Sequence, residues 1–217
     1  MKKTSYILLF WGLLLTYPVI GQIPKDTLLA KELQQMAQRD QQIQEDFLMA
    51  NSDTAKQTIK KQMQQTFNAN CSRIKEVFQK QGYPGWDKVG KGGAHSFWLL
   101  VQHCDSDPGF QEAALKAMEK QARGNNADKG EYAYLVDRVR VNGGQKQVYG
   151  TQMEVKDILE GYSPKPLENP EQVNKRRQEM GLMPLEEYLK KMNESFFALN
   201  KDKIEQERRR RQQSNGH

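Results

Sequence analysis

Residues 26–50, DTLLAKELQQMAQRDQQIQEDFLMA, decide how the chain is read. Asp26 is a helix-capping residue, and the apolar positions that follow are Leu29, Leu33, Met36, Ile43 and Phe47. Their spacings of four, three, seven and four make one stripe of an amphipathic helix. The gap of seven is informative, because the position that should fill it holds Asp40. A carboxylate inside an apolar stripe costs several kcal/mol unless it is paired or hydrogen-bonded. Asp40 is therefore expected to meet a partner from another part of the fold.

A second helix, roughly 54 to 80, carries Ile59, Met63, Phe67, Ile74 and Val77 at helical spacing, and Asn70 fills a similar gap. Gly82-Tyr83-Pro84-Gly85 ends it in a turn. Gly90, Gly92 and Gly93 read as a flexible lead-in to Ala94–His103, where Phe97 to Val101 is apolar on every side, as in a central buried helix. Ser106 or Asp107 caps a further helix with Pro108 at its first position, running to about Arg123. Tyr132 to Val136 finish a short helix. Arg138-Val139-Arg140-Val141 then alternates, Asn142-Gly143-Gly144 supplies a turn, and Gln145 to Gln152 runs back. That pattern predicts a β-hairpin over about 138–152. A Pro-rich loop at 161–169 precedes a helix opened by Asn169-Pro170 and closed by Gly181, and Pro184 opens the last helix. Beyond Asp202 only Ile204 is apolar, so 201–217 reads as a basic, disordered tail. The expected fold is mostly α with a minor β part: one bundle-like helical domain over 22–200 with a small antiparallel hairpin packed on it.

Compartment is read from the first 21 residues. Lys2 and Lys3 form a positive n-region, and Ile7 to Leu15 an apolar run that Tyr17-Pro18 stops short of the ~20 residues a membrane span needs. Val19 and Gly21 place small side chains at the −3 and −1 positions, which predicts cleavage before Gln22. The expectation is an extracytoplasmic protein, periplasmic or secreted, with no stable membrane insertion after cleavage. The net charge of +6 suggests nucleic acid as a partner, but Lys2 and Lys3 leave with the signal and residues 201–217 hold +3. A body of about +1 lacks the basic face that phosphate-backbone binding needs, so no nucleic-acid partner is expected. Cys71 and Cys104 fit no zinc spacing. In an oxidising compartment they can pair, but two small buried side chains are the preferred reading.

Chemistry concentrates at the end of the buried helix, Gln102-His103-Cys104-Asp105. His103 lies where a helix C-terminus favours the imidazolium form, and Asp105 is placed to orient it, a combination used in general acid–base sites. Asp137 and Arg138 enter the expected hairpin, and Gln147, Tyr149, Thr151 and Gln152 leave it. If the hairpin docks on the helix end, all of these converge with Asp40. Gly150 among them offers close backbone approach or a positive φ. His95 and His103 are eight residues apart, about 12 Å along one helix, and cannot share a metal ion. No metal or cofactor is expected.

Taken in order, Glu32-Leu33, Asp40-Gln41, Gln102-His103-x-Asp105, Ala133-Tyr134-Leu135-x-Asp137-Arg138, Gln147-x-Tyr149-Gly150-Thr151-Gln152 and Arg177 before Gly181-Leu182 carry a resemblance. The chain resembles domain-of-unknown-function family 6624, a bacterial family, over roughly residues 28–190. The resemblance implies a set of positions and no reaction. The family usually has a small residue at the position of Cys104, which counts against a nucleophilic role there.

Three functions are open to these residues. The first is a pocket for a small molecule or peptide, with Asp40, Gln102, Asp137, Arg138, Gln147, Tyr149, Thr151 and Gln152 as binding groups. The second is hydrolase-like chemistry with His103 as acid or base and Asp105 beside it. The third is a cell-envelope interaction protein in which the same residues form a purely structural network. Oligomeric state is not legible.

Overall fold

In the computed structural model the described residues are 24–214. The expected signal sequence, its cleavage point before Gln22, and residues 215–217 lie outside them. Among the described residues there are eight α-helices and one two-stranded sheet: α1 Thr27–Met49, α2 Asp53–Gln81, α3 Trp86–Gln102, α4 Pro108–Arg123, α5 Lys129–Asn142, β1 Met153–Val155, β2 Tyr162–Pro164, α6 Val173–Glu179, α7 Leu185–Leu199 and α8 Lys201–Ser214. The protein is mostly helical with one small antiparallel hairpin. Among the described residues no helix is long and apolar enough to cross a membrane.

Local signals start the helices where their sequence chemistry allows. Asp26 accepts from the Leu29 N–H at 2.9 Å, Asp107 from Phe110 at 3.0 Å and Asp128 from Glu131 at 2.9 Å, each satisfying a donor the first turn cannot. The centre is α3, whose Phe97, Trp98, Leu99, Leu100 and Val101 are all buried. α1 lies along α3, and at Gly93 a side chain would press on Val89 and on the Ala30 backbone. The three glycines are not a flexible lead-in: the helix begins at Trp86 and kinks at Gly90, where φ is 68°. A second, smaller core joins Met153, Val173, Leu185 and Tyr188, and Tyr134 of α5 packs against both cores.

The hairpin is not at 138–152. Residues 138–142 continue α5, with Leu135 and Asp137 buried and Val139 packed against the main core. Asn142-Gly143-Gly144 ends this helix: Gln145 N–H reaches the Arg140 carbonyl at 2.8 Å, Gly144 N–H reaches Val141 at 3.0 Å, and Gly144 has φ 74°. This is the Schellman closure. The strands come later, pairing Met153 with Pro164, Glu154 with Ser163 and Val155 with Tyr162.

Cys71 and Cys104 are joined by a disulfide with Cα atoms 5.2 Å apart, where two separate buried side chains were expected. The tail expectation is also corrected. Residues 201–214 are helical, Ile204 is buried, and Arg211 makes a two-pronged ion pair with Asp157 at 2.8 and 2.9 Å. One apolar residue carries too little periodicity to be read in advance, yet it suffices to seat a helix whose other end is tethered. Truncation after Asn200 is expected to cost about 2 kcal/mol, the sum of one buried isoleucine and an exposed ion pair. Equilibrium urea unfolding of the truncated chain measures this, and an unchanged midpoint would show that α8 is energetically passive.

Candidate functional site

Asp40 is wholly buried, and its partners come from three helices. Its Oδ1 faces His103 Nδ1 at 2.6 Å and accepts from Gln44 at 2.9 Å and Gln41 at 3.3 Å, while Asn70 of α2 donates to Oδ2 at 3.4 Å. The two polar gaps in the α1 and α2 stripes therefore face each other. His103 is the C-cap of α3, its ring stacks on Phe67 with centroids 4.9 Å apart, and the disulfide fixes the next residue. With Nδ1 held by the carboxylate, Nε2 is the nitrogen left to act, and it has no protein partner among the described residues. The imidazole side chain is 9% exposed.

Asp105 does not orient His103. The chain turns at the C-cap, and Asp105 faces α5. It accepts from Arg138 Nε at 3.0 Å and Nη2 at 2.5 Å, from Gln111 at 3.0 Å and from Asn142 at 2.8 Å. Partial burial raises the Asp105 pKa, but the Arg138 charge and these donors outweigh it and hold the carboxyl below its usual range. The Asp105 side chain remains 46% exposed and Arg138 17% exposed, so this pair forms a polar rim.

Behind the rim, the Tyr149-Gly150-Thr151-Gln152 segment is held from two sides. Asp137 accepts from the backbone N–H groups of Val148 (2.7 Å), Tyr149 (3.0 Å) and Thr151 (2.9 Å) and from the Thr151 hydroxyl (2.9 Å). Burial pushes its pKa up and those donors pull it only partly back. Buried Arg177 donates to the carbonyls of Tyr149 (2.7 Å), Gly150 (3.3 Å) and Met183 (2.6 Å). Gln147 completes the frame: its amide donates to the Gln152 and Lys165 carbonyls and accepts from the Gln152 N–H. Gly150 has φ 70° and sits against Leu185, so a side chain there meets both strain and contact. From the rim inward the polar groups run continuously: Arg138 to Gln152 (3.5 Å), Gln152 to Thr151 (3.3 Å), Thr151 to Asp137.

The expected cluster thus separates. Asp105, Arg138, Gln152, Thr151 and Asp137 share one network, and Gln147 braces it. Asp40 and His103 form a second. Gln102 stands apart in the core, where its amide oxygen, oriented to satisfy its neighbours, accepts from Leu135 N–H at 3.1 Å and Trp98 Nε1 at 3.3 Å. Asp137, Gln147 and Thr151 are sealed from solvent, and Tyr149 enters through its backbone. Sequence reasoning missed Gln44, Gln111 and Asn142, which have no positional signature, and gave Arg177 no role. It also missed a second imidazole–carboxylate pair, His95 Nδ1 of α3 with Glu131 of α5 at 2.6 Å. The Glu131 hydrogen bond raises the His95 pKa, and burial raises that of Glu131. Among the described residues no three His, Cys, Asp or Glu side chains are grouped to hold a metal ion.

Fold and site together define a small helical protein built around a clamped loop, with a carboxylate-held imidazole at the edge of its core. The chain belongs to the family of unknown function DUF6624, whose model matches residues 27–201. No curated protein and no solved structure matches it.

Proposed function

We propose that this is an exported bacterial protein that binds a small ligand or peptide at the rim where His103 Nε2, Asp105 and Arg138 approach solvent. The observation that carries this reading is the His103 imidazole: one nitrogen is fixed on a buried carboxylate, and the other has no protein partner among the described residues. Holding a ring in place costs side-chain entropy, and a rigid donor–acceptor is what a recognition site uses. The Asp105–Arg138 pair, reached two residues further along the chain, supplies charges of both signs. The sealed residues Asp137, Gln147, Thr151 and Gln152 are the scaffold of that rim and do not touch the ligand.

A library of amino acids, short peptides and small carboxylates, screened by thermal shift on wild type, His103→Gln and Arg138→Lys, tests this. A true ligand at about a hundredfold excess over Kd raises the midpoint by about 5 °C or more. That rise should be lost or sharply reduced in both variants. A shift equal in all three proteins, or no shift with any compound, would sink the proposal.

The same imidazole favours a second reading, in which Asp40 sets the tautomer and Nε2 moves a proton as general acid or base. Consumption of a ligand found in the screen, abolished by His103→Gln, would make that reading the better one.

A further inference from the structure

We propose that the end of α7 and one face of α8 form a docking surface for a bilayer carrying anionic phospholipid. The two helices enclose an open groove of about 480 Å³. Phe197 and Ile204 line it with apolar surface, and Lys201, Glu205, Arg208 and Arg209 surround them. Glu205, the acid among these six, is engaged by Arg209 at 2.8 Å, whereas Lys201 and Arg208 make no ion pair among the described residues. The groove is therefore cationic in net charge.

Of its two apolar residues Ile204 is buried and Phe197 is 38% exposed, and next to the groove, at the turn between the helices, Leu199 is 62% exposed. Beside this face, two turns on from Ile204, Arg211 tethers α8 to Asp157, so the helix presents the face in a fixed orientation.

Exposed aromatic and aliphatic side chains next to unpaired lysine and arginine are the combination that binds a membrane interface. The cations meet lipid phosphates while the apolar groups enter the acyl boundary. A hydrated polyanion would meet the charges and leave Phe197 and Leu199 in water, which is why lipid is the occupant we assign. The inference is independent of the His103 rim and stands or falls separately.

Co-sedimentation of the full chain with phosphatidylcholine vesicles, with and without phosphatidylglycerol, is the test. Binding is expected only when phosphatidylglycerol is present, and it should weaken as salt rises. Replacing both Lys201→Gln and Arg208→Gln should weaken it roughly 25-fold, at about fivefold per cation near the surface. Phe197→Ser should weaken it several-fold, while Lys60→Gln with Lys61→Gln, exposed on α2, should leave it unchanged. Failure to sediment with anionic vesicles overturns the proposal, as does an equal loss from the α2 pair. Poly-glutamate that competes fully and binds the Phe197→Ser protein as well as wild type would identify a polyanion site and also overturn it.

Discussion

Asp137→Ala is expected to destabilise the protein by about 3–5 kcal/mol, a large fraction of the total stability of a domain this size. The reason is the number of donors left without an acceptor. Three backbone N–H groups and the Thr151 hydroxyl point at this one carboxylate, in a region closed to water. Each orphaned donor costs its own desolvation. The sign of the pH effect follows from the raised pKa. The folded value lies above the unfolded one, so ionising Asp137 works against the fold. That penalty is absent below the unfolded carboxylate range and develops as pH rises through the folded value. Asp105 is the opposite case: its folded pKa is depressed, and its contribution, present above the unfolded pKa, is lost as pH falls through the folded one. Acid should thus loosen the rim while it relieves the charge penalty on the clamp. Urea titrations of wild type and Asp137→Ala at two pH values measure both effects, and a loss below about 1 kcal/mol would mean the loop finds other partners.

Arg177→Met should be nearly as costly, about 3 kcal/mol or more, because methionine keeps much of the length but returns three carbonyls to an unpaired state. Arg177 and Asp137 hold the same backbone from opposite sides, one through its carbonyls and the other through its N–H groups. Once either is gone, the segment can relax and the second loses part of its purpose. The two substitutions are therefore expected to be less than additive, with a coupling of about 1 kcal/mol or more. A double-mutant cycle by urea unfolding reads this directly. Full additivity would show that the two sides of the loop are held independently.

Much of the helical frame was legible because it is written in local terms. Asp26 and Asp107 cap where a capping residue precedes an apolar period, and the all-round apolar run at Phe97–Val101 is the buried centre. Asp40 stood out for the same reason, as a carboxylate out of place in a stripe. Arg138-Val139-Arg140-Val141 was misread because four residues satisfy a period of two and also place Val139 one turn beyond Leu135. Only the core beneath the helix decides between them. Asn-Gly-Gly carries the same ambiguity, since a glycine at positive φ serves a hairpin turn or a helix end equally well. The pairing of His103 with Asp40 and not Asp105 lies beyond any local rule. It depends on which way the C-cap turns the chain, and that is set by tertiary packing.

The disulfide changes how far apart the two ends of that imidazole–carboxylate contact are along the covalent skeleton. Asp40 and His103 are separated by 63 residues of chain. Through the sulfur bridge the route shortens to the 31 residues from Asp40 to Cys71 and the single step from Cys104 back to His103. Halving the loop lowers the entropy needed to close it by about 0.6 kcal/mol. Oxidation thus acts as a shortcut in the folding search: it brings α1 to the end of α3 with half the chain left to arrange, and the His103 site forms more readily once the bridge is made.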